Sequence, residues 1–334
     1  MKYLLAPLAG FSNAPFRRIC HDYGADATYT EMVSSAGLAH GSSPTRHLME
    51  VLPGEGPVVC QIFGDKPEEL AFAAHEATKL HRFCGIDLNA GCPMPNIVRE
   101  GAGAALGARP SLVHECLNAI AAATDLPVTL KTRPGPRPDK VLMRELLSAA
   151  QESGCAGMTI HARFTSQKHS GPVHLDLLAD IVGRARIPVT GNGGVYNSKT
   201  AAEMAQTGVA AIMIGRAAMA NPWIFADLKR SDSTPDDGET DSADSPPSAA
   251  ERRASLQDRT FDAHLAAIVE YHDQLKRNFP NDHIGTCDDL VSATMRTQLF
   301  RYFNGRPGAA ELRRRMNAVH TLAEAKALIA AFRG

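Results

Sequence analysis

The sequence predicts an α/β protein, a (β/α)₈ TIM barrel followed by a small C-terminal helical domain, on three observations. Short apolar runs alternate with longer helical patterns from residue 1 to about 230, helical spacing alone continues after 251, and polar residues end most of the runs. A doubly wound open sheet also satisfies the alternation. The barrel is preferred because Glu31, Gln61, Asn89 with Cys92, Lys131, His161, Asn192 and Arg216 close successive runs. Barrel enzymes gather such residues on the one face where their strands end.

The eight runs are Leu4 to Leu8, Ala27 to Met32, Val58 to Phe63, Ile86 to Asn89, Val128 to Lys131, Gly157 to His161, Val189 to Asn192 and Ala211 to Ile214. Between them the spacing predicts helices over 67–81, 111–123, 140–153, 174–186 and 198–207. Residues 1–230 are thus expected to form one catalytic barrel. Residues 231–250 hold six acids and no Lys or Arg, with almost nothing to bury, and read as an acidic flexible linker. From 251 to 334 apolar residues recur every three or four positions in 254–278, 287–303, 308–317 and 321–332. Asn304-Gly305-Arg306-Pro307-Gly308 interrupts two of these helices.

With 334 residues, 44% hydrophobic and 21% charged, the chain has the composition of a globular protein with a sizeable core. Its formal net charge of −1 hides an uneven distribution, because residues 251–334 carry 13 Lys and Arg against 10 acids. Neither a charged leader nor an apolar span precedes the first strand, so a cytoplasmic location away from membranes is expected. The seven cysteines are scattered without a C-x-x-C pair, which predicts reduced thiols and no metal site.

The chemistry centres on Asn89-Ala90-Gly91-Cys92-Pro93. A buried strand that turns sharply here leaves a thiol in a loop, with glycine permitting the turn and proline fixing the backbone after the sulfur. A buried core cysteine is the alternative. Lys131 ends an apolar run, where an ammonium needs a ligand or a carboxylate, and His161 ends the next run in the same way. Ala6-Pro7-Leu8 offers a small-residue platform for a flat ligand. Asn192-Gly193-Gly194 and Gly215-Arg216 follow the seventh and eighth runs, where barrels bind phosphate through backbone N–H groups, and Arg216 adds a charge-assisted donor.

Together with Gln61 to Gly64, Gly101 to Leu106, Leu130 to Arg133, His161-Ala162-Arg163 and Gly215 to Ala218, these segments resemble the tRNA-dihydrouridine synthase family. Met295-Arg296 and Pro307 to Arg315 are similar to its helical RNA-binding domain. The resemblance implies an FMN-dependent, NADPH-consuming reduction of the C5–C6 double bond of selected uridines in tRNA. Hydride would pass from flavin N5 to uracil C6, and Cys92 would give a proton to C5. It further implies that Lys131 and His161 contact the flavin ring and its phosphate side, that Gln61 meets the ring edge, and that Asn192, Gly193, Gly194, Gly215 and Arg216 hold the phosphate. Asn89, Arg163 and Arg296 are the candidates for holding tRNA. A uridine in folded tRNA must leave its stack to reach a barrel floor, so a flipped base between the two domains and salt-sensitive binding are expected. A monomer is expected.

The chain departs from the family pattern at Asn96, where lysine is usual, at Phe164 and His169, where threonine and tyrosine are common, and at Thr297 and Gln298, where Lys and His are frequent. Two other readings fit the same residues: an FMN barrel of the dihydroorotate dehydrogenase kind acting on a free small molecule, and a non-catalytic RNA-binding relative.

Overall fold

A computed structural model describes residues 1–233 and 248–333. Its sheet comprises β1 (Lys2–Leu5), β2 (Thr28–Tyr29), β3 (Val33–Ser34), β4 (Val58–Phe63), β5 (Gly85–Ala90), β6 (Val128–Thr132), β7 (Gly157–His161), β8 (Val189–Asn192) and β9 (Ala211–Ile214). Every pairing is parallel, and the order runs β1-β9-β8-β7-β6-β5-β4-β2, with β3 also on β4. A bridge between Leu4 and Ala27, with Leu5 N–H donating to the Ala27 carbonyl at 3.0 Å, brings the two ends together. The expected (β/α)₈ barrel is therefore the observed architecture, helices separating the strands as crossover connections require.

Two strands differ from expectation for identifiable reasons. The apolar run predicts a first strand reaching Leu8, but β1 ends at Leu5. Ala6 N–H makes the last donation, to the Ile214 carbonyl at 2.8 Å, and Pro7 has no N–H with which to continue. Of the second run, predicted whole over Ala27 to Met32, only Thr28–Tyr29 is strand; β3 begins just beyond it, and Met32 between the two faces the barrel mouth. Strands β4 and β5 are buried along almost their whole length, as the apolar runs indicate.

The barrel core runs continuously through residues such as Leu5, Ile62, Leu88, Leu130, Ile160 and Ile214. A second core joins Phe261, Leu265, Val291, Met295, Tyr302, Phe303 and Leu328 of the C-terminal helices, and it includes Trp223 from the end of the barrel. Trp223 is 3% exposed, edge-on to Tyr23 and tilted against Tyr302. The helix Ala249–Asn278 lies along Ala14–Asp22, held by Arg18 Nη1 on Glu270 at 2.6 Å and by Tyr271 OH on the His47 carbonyl at 3.0 Å.

The C-terminal helices match expectation in number, with two corrections at their ends. Ala249–Asn278 starts inside the segment read as linker, because Ser248 caps it and Glu251 completes a capping box. At the other edge, the helix Ile224–Ser233 runs past 230. The remaining linker residues, 234–247, lie outside the described residues. The helix expected over 287–303 is an α-helix only to Thr297, followed by a 3₁₀ turn over Leu299–Phe303. Among the described residues no helix is long and apolar enough to cross a membrane.

Candidate active site

A cavity of about 610 Å³ opens at the C-terminal ends of the strands. Ala6, Pro7 and Leu8 after β1, Asn89 and Cys92 at β5, Lys131 at β6, His161 at β7, Asn192, Gly193 and Gly194 at β8, and Gly215 and Arg216 at β9 all line it. Residues from both ends of the barrel sequence thus share one wall, because parallel strands all deliver their ends to the same face.

The thiol loop is held from several sides. Asn89 Oδ1 accepts from the backbone N–H groups of Gly91 at 3.1 Å and Cys92 at 3.0 Å, forming a turn around its own carboxamide. The Cys92 carbonyl accepts from Ala104 N–H at 2.9 Å, and the Gly91 carbonyl from Arg133 Nε at 2.8 Å. Gly103, at φ +57°, presses so close that a Cβ there would lie 2.8 Å from the Cys92 carbonyl oxygen, which accounts for glycine at that point of the 101–106 segment. Cys92 itself is partly exposed. Burial raises its pKa above the ordinary value, against the Met94 backbone N–H and the charges of Lys131 and Arg133, so the sulfur carries its proton at neutral pH.

The opposite wall is cationic. Lys131 Nζ donates to Asn192 Oδ1 at 3.2 Å, and Asn192 Nδ2 donates to the Met213 carbonyl at 2.8 Å, tying β6, β8 and β9 together beneath the cavity. Burial, and then the neighbouring Arg133, lower the Lys131 pKa to about 8. Burial and the charges of Arg133 and Lys131 hold His161 neutral, and its buried Nδ1 has no hydrogen-bond partner. Gly193 takes φ +107°, and a Cβ there would meet the His161 ring at 3.0 Å. Among the lining residues there is no Asp or Glu. Such a cavity favours an anionic, partly flat ligand.

Three expected site residues lie elsewhere. Gln61 is fully buried one layer below, between Asp87 and Asn89, and does not reach the cavity. Arg163 sits behind Gly193, its Nε donating to the Gly171 carbonyl at 2.8 Å. Arg296 is on the helical region, with Nη2 donating to the Val319 carbonyl at 3.3 Å. Asn89 does reach the wall, but its carboxamide is engaged by the thiol loop and Gln61.

Two basic lining residues, Arg133 and His169, are not among the site residues the sequence singles out. Arg133 follows Lys131 by two positions, the strand period that puts both on one face, and this is the legible signal. His169 stands where the family commonly has tyrosine, and its carbonyl accepts from Arg216 Nη2 at 2.9 Å. At the rim, Phe11 lines the cavity under the Arg301 guanidinium, 5.1 Å from the ring centroid, and Gln298 Nε2 donates to the Gly10 carbonyl at 2.9 Å. The helical region thus borders the opening.

The Dihydrouridine synthase (Dus) family profile matches residues 4–333. A probable tRNA-dihydrouridine synthase of Treponema pallidum is 36% identical over 235 residues, covering 67% of this chain and 69% of the relative. The tRNA-dihydrouridine synthase B of Xanthomonas campestris is 36% identical over 228 residues, covering 68% of each chain. That of Escherichia coli K12 is 34% identical over 232 residues, covering 68% of this chain and 71% of the relative. With its barrel, its thiol loop and a family match spanning nearly its whole length, the chain belongs to the dihydrouridine synthase family.

Proposed function

We propose that the protein is a tRNA-dihydrouridine synthase, an oxidoreductase that reduces the C5–C6 double bond of uridines in tRNA with FMN as cofactor and NADPH as reductant. The observation that carries this reading is the Cys92 thiol in the wall of a cation-lined cavity free of carboxylates. Family membership and the printed names of the relatives support the substrate.

FMN suits the residues present. Its phosphate calls for cations and close backbone N–H groups, which Arg216, Gly193, Gly194 and Gly215 offer, with Asn192 beside them. Its ring calls for a flat platform and polar partners at the edge, roles for Ala6, Pro7, Leu8 and Lys131 and for the unpaired Nδ1 of His161. When bound, FMN supplies the hydride equivalent, drawn from NADPH, that uracil C6 gains.

The chain supplies the rest. Cys92 Sγ holds the proton destined for C5, and its raised pKa keeps that proton in place through neutral pH. The loop bonds from Asn89, Arg133 and Ala104 hold the sulfur at the cavity wall. Phe11, Arg301 and the exposed Arg313, Arg314 and Arg315 offer stacking and phosphate contacts to a flipped nucleotide and its flanks. In this reading the catalytic barrel extends through the helix ending at Ser233, the tRNA-binding helices begin at the Ser248 cap, and the protein works as a cytoplasmic monomer.

Incubating the purified protein with NADPH and unmodified tRNA tests the proposal by mass-spectrometric detection of dihydrouridine. Product on tRNA and none from free uridine or orotate is the expected result. Turnover on the small molecules alone would replace this reading with the free-substrate barrel.

A further inference from the structure

Beneath the thiol loop lies a chain of buried polar side chains. Asp87 and Gln61 are both 0% exposed in the barrel interior, an expensive place for a carboxylate and an amide. Asp87 Oδ1 accepts from Thr129 Oγ1 at 2.6 Å, and Oδ2 from Gln61 Nε2 at 2.6 Å. Gln61 Oε1 then accepts from Asn89 Nδ2 at 2.9 Å, and Asn89 Oδ1 takes the Gly91 and Cys92 N–H groups. Neither Asp87 nor Gln61 lines the cavity.

We propose that Asp87 and Gln61 are positioning residues for Cys92, and that their hydrogen bonds run in one direction only, dictating which end of the Asn89 carboxamide faces the loop. The inference rests on the reading of Cys92 as proton donor. The two ends of a carboxamide have nearly the same shape, so packing does not choose between them and hydrogen-bond polarity does. An ionised carboxylate can only accept. Gln61 must therefore present its NH₂ to Asp87 and its oxygen to Asn89, and Asn89 must present its NH₂ to Gln61 and its oxygen to the loop. Were the order reversed, the Asn89 NH₂ would confront two backbone N–H donors and the turn that aims the sulfur would lose both bonds. Burial raises the Asp87 pKa to about 6, against the hydrogen bonds from Gln61 and Thr129 and the charge of Lys131, so the acceptor-only state holds at neutral pH.

The relay predicts its own rescue. In Asp87→Asn the side chain can offer Gln61 its NH₂ as readily as its oxygen, because the Thr129 hydroxyl accepts as well as donates, so the original order is no longer imposed. In Asn89→Asp two acceptors face each other across Gln61. In the double variant the amide introduced at position 87 would donate to Gln61 Oε1, and Gln61 Nε2 would donate to one oxygen of the carboxylate introduced at position 89. The other carboxylate oxygen would still accept from the loop, and Thr129 would donate to the amide oxygen at position 87. Every group regains a partner.

The test is this double-mutant cycle on the FMN-loaded enzyme, read in two ways: dihydrouridine formation at saturating tRNA, and the rate at which iodoacetamide alkylates Cys92, followed by peptide mass. Each single variant is expected to lower saturating turnover about 10-fold or more and to change the alkylation rate, and in Asp87→Asn, whose side chain lies away from the cavity, the KM for tRNA stays within about twofold. The double variant is expected to recover most of both. The carboxylate at position 89 faces a charged Asp87 only in the single variant, so part of the rescue reports relief of like-charge repulsion, and Gln61→Leu, which changes no charge, reports the hydrogen-bond order alone. Gln61→Leu, which cuts the chain at its middle without altering Asp87, must reproduce the loss and serves if Asp87→Asn does not fold. Losses that simply add in the double variant, or an unchanged alkylation rate in both Asp87→Asn and Gln61→Leu, would overturn the proposal. Should the wild type form no dihydrouridine in tRNA, the functional reading fails, while the alkylation cycle still decides the relay.

Discussion

The barrel mouth and the C-terminal helices are both rich in cations, and they carry that charge in opposite ways. At the mouth, Lys131 and Arg133 crowd beside the neutral His161 with no carboxylate in the cavity wall, and burial and neighbouring cations push the pKa of all three downward. On the helices the charges are mostly neutralised or solvated: Arg314 pairs with Glu311 at 2.8 Å, and Arg306 and Arg333 share Asp258. Uncompensated charge in a closed space stores a demand for an anion. Paired charge on a surface makes no such demand and steers only weakly. The first region therefore defines a ligand site by itself, whereas the second acquires meaning from the polyanion brought to it.

Removing the reacting atom breaks this contrast most sharply. Cys92→Ala is expected to lower dihydrouridine formation by about 10²–10⁴-fold in single turnover, while FMN content and tRNA affinity stay close to wild type. Parallel loss of tRNA binding would show that the thiol loop belongs to the docking surface. Lys131→Met comes next, with FMN affinity expected to weaken by about 10-fold or more as one buried charge disappears, measured by flavin fluorescence on dilution. The same site predicts a pH effect. With its pKa lowered to about 8, Lys131 is charged below that value and neutral above it. FMN affinity should hold at neutral pH and weaken as pH rises through about 8, and the Lys131→Met variant should lose that dependence.

Effects on the helices should be smaller and of another kind. Arg301→Ala removes the stacked guanidinium over Phe11 and is expected to raise the KM for tRNA about 2–5-fold with kcat nearly unchanged, in steady-state assays. Replacing Arg313 and Arg315 with Gln should flatten the dependence of tRNA affinity on salt by up to about two phosphate contacts and leave FMN binding alone. A loss of kcat in either case would mean that the two regions are not separable.

The sequence reveals most where local chemistry decides structure. Eight of the nine strands are legible because parallel strands buried on both faces read as apolar runs, β3 lying beyond its run, and the thiol loop is legible because Gly91 and Pro93 mark its turn. What stays hidden depends on partners remote in the chain. Gln61 is the polar residue of the apolar run Val58 to Phe63 and reads as ligand-facing, yet Asp87 on the adjacent strand draws its amide inward. Arg163 and Arg296 have backbone carbonyls to satisfy, and no local pattern announces them. The capping box at Ser248 is present in the sequence but sits in an acidic stretch that looks uniform.

The chain contains a single tryptophan, and the fold has placed Trp223 where the two cores meet, its indole shielded by Tyr23 and Tyr302 with the Arg253 guanidinium 5.9 Å away. Its ultraviolet emission is therefore a built-in gauge of whether barrel and helices remain clasped. A red shift on adding tRNA would record the clasp loosening, and an unmoved spectrum would record that the substrate enters a mouth of fixed shape.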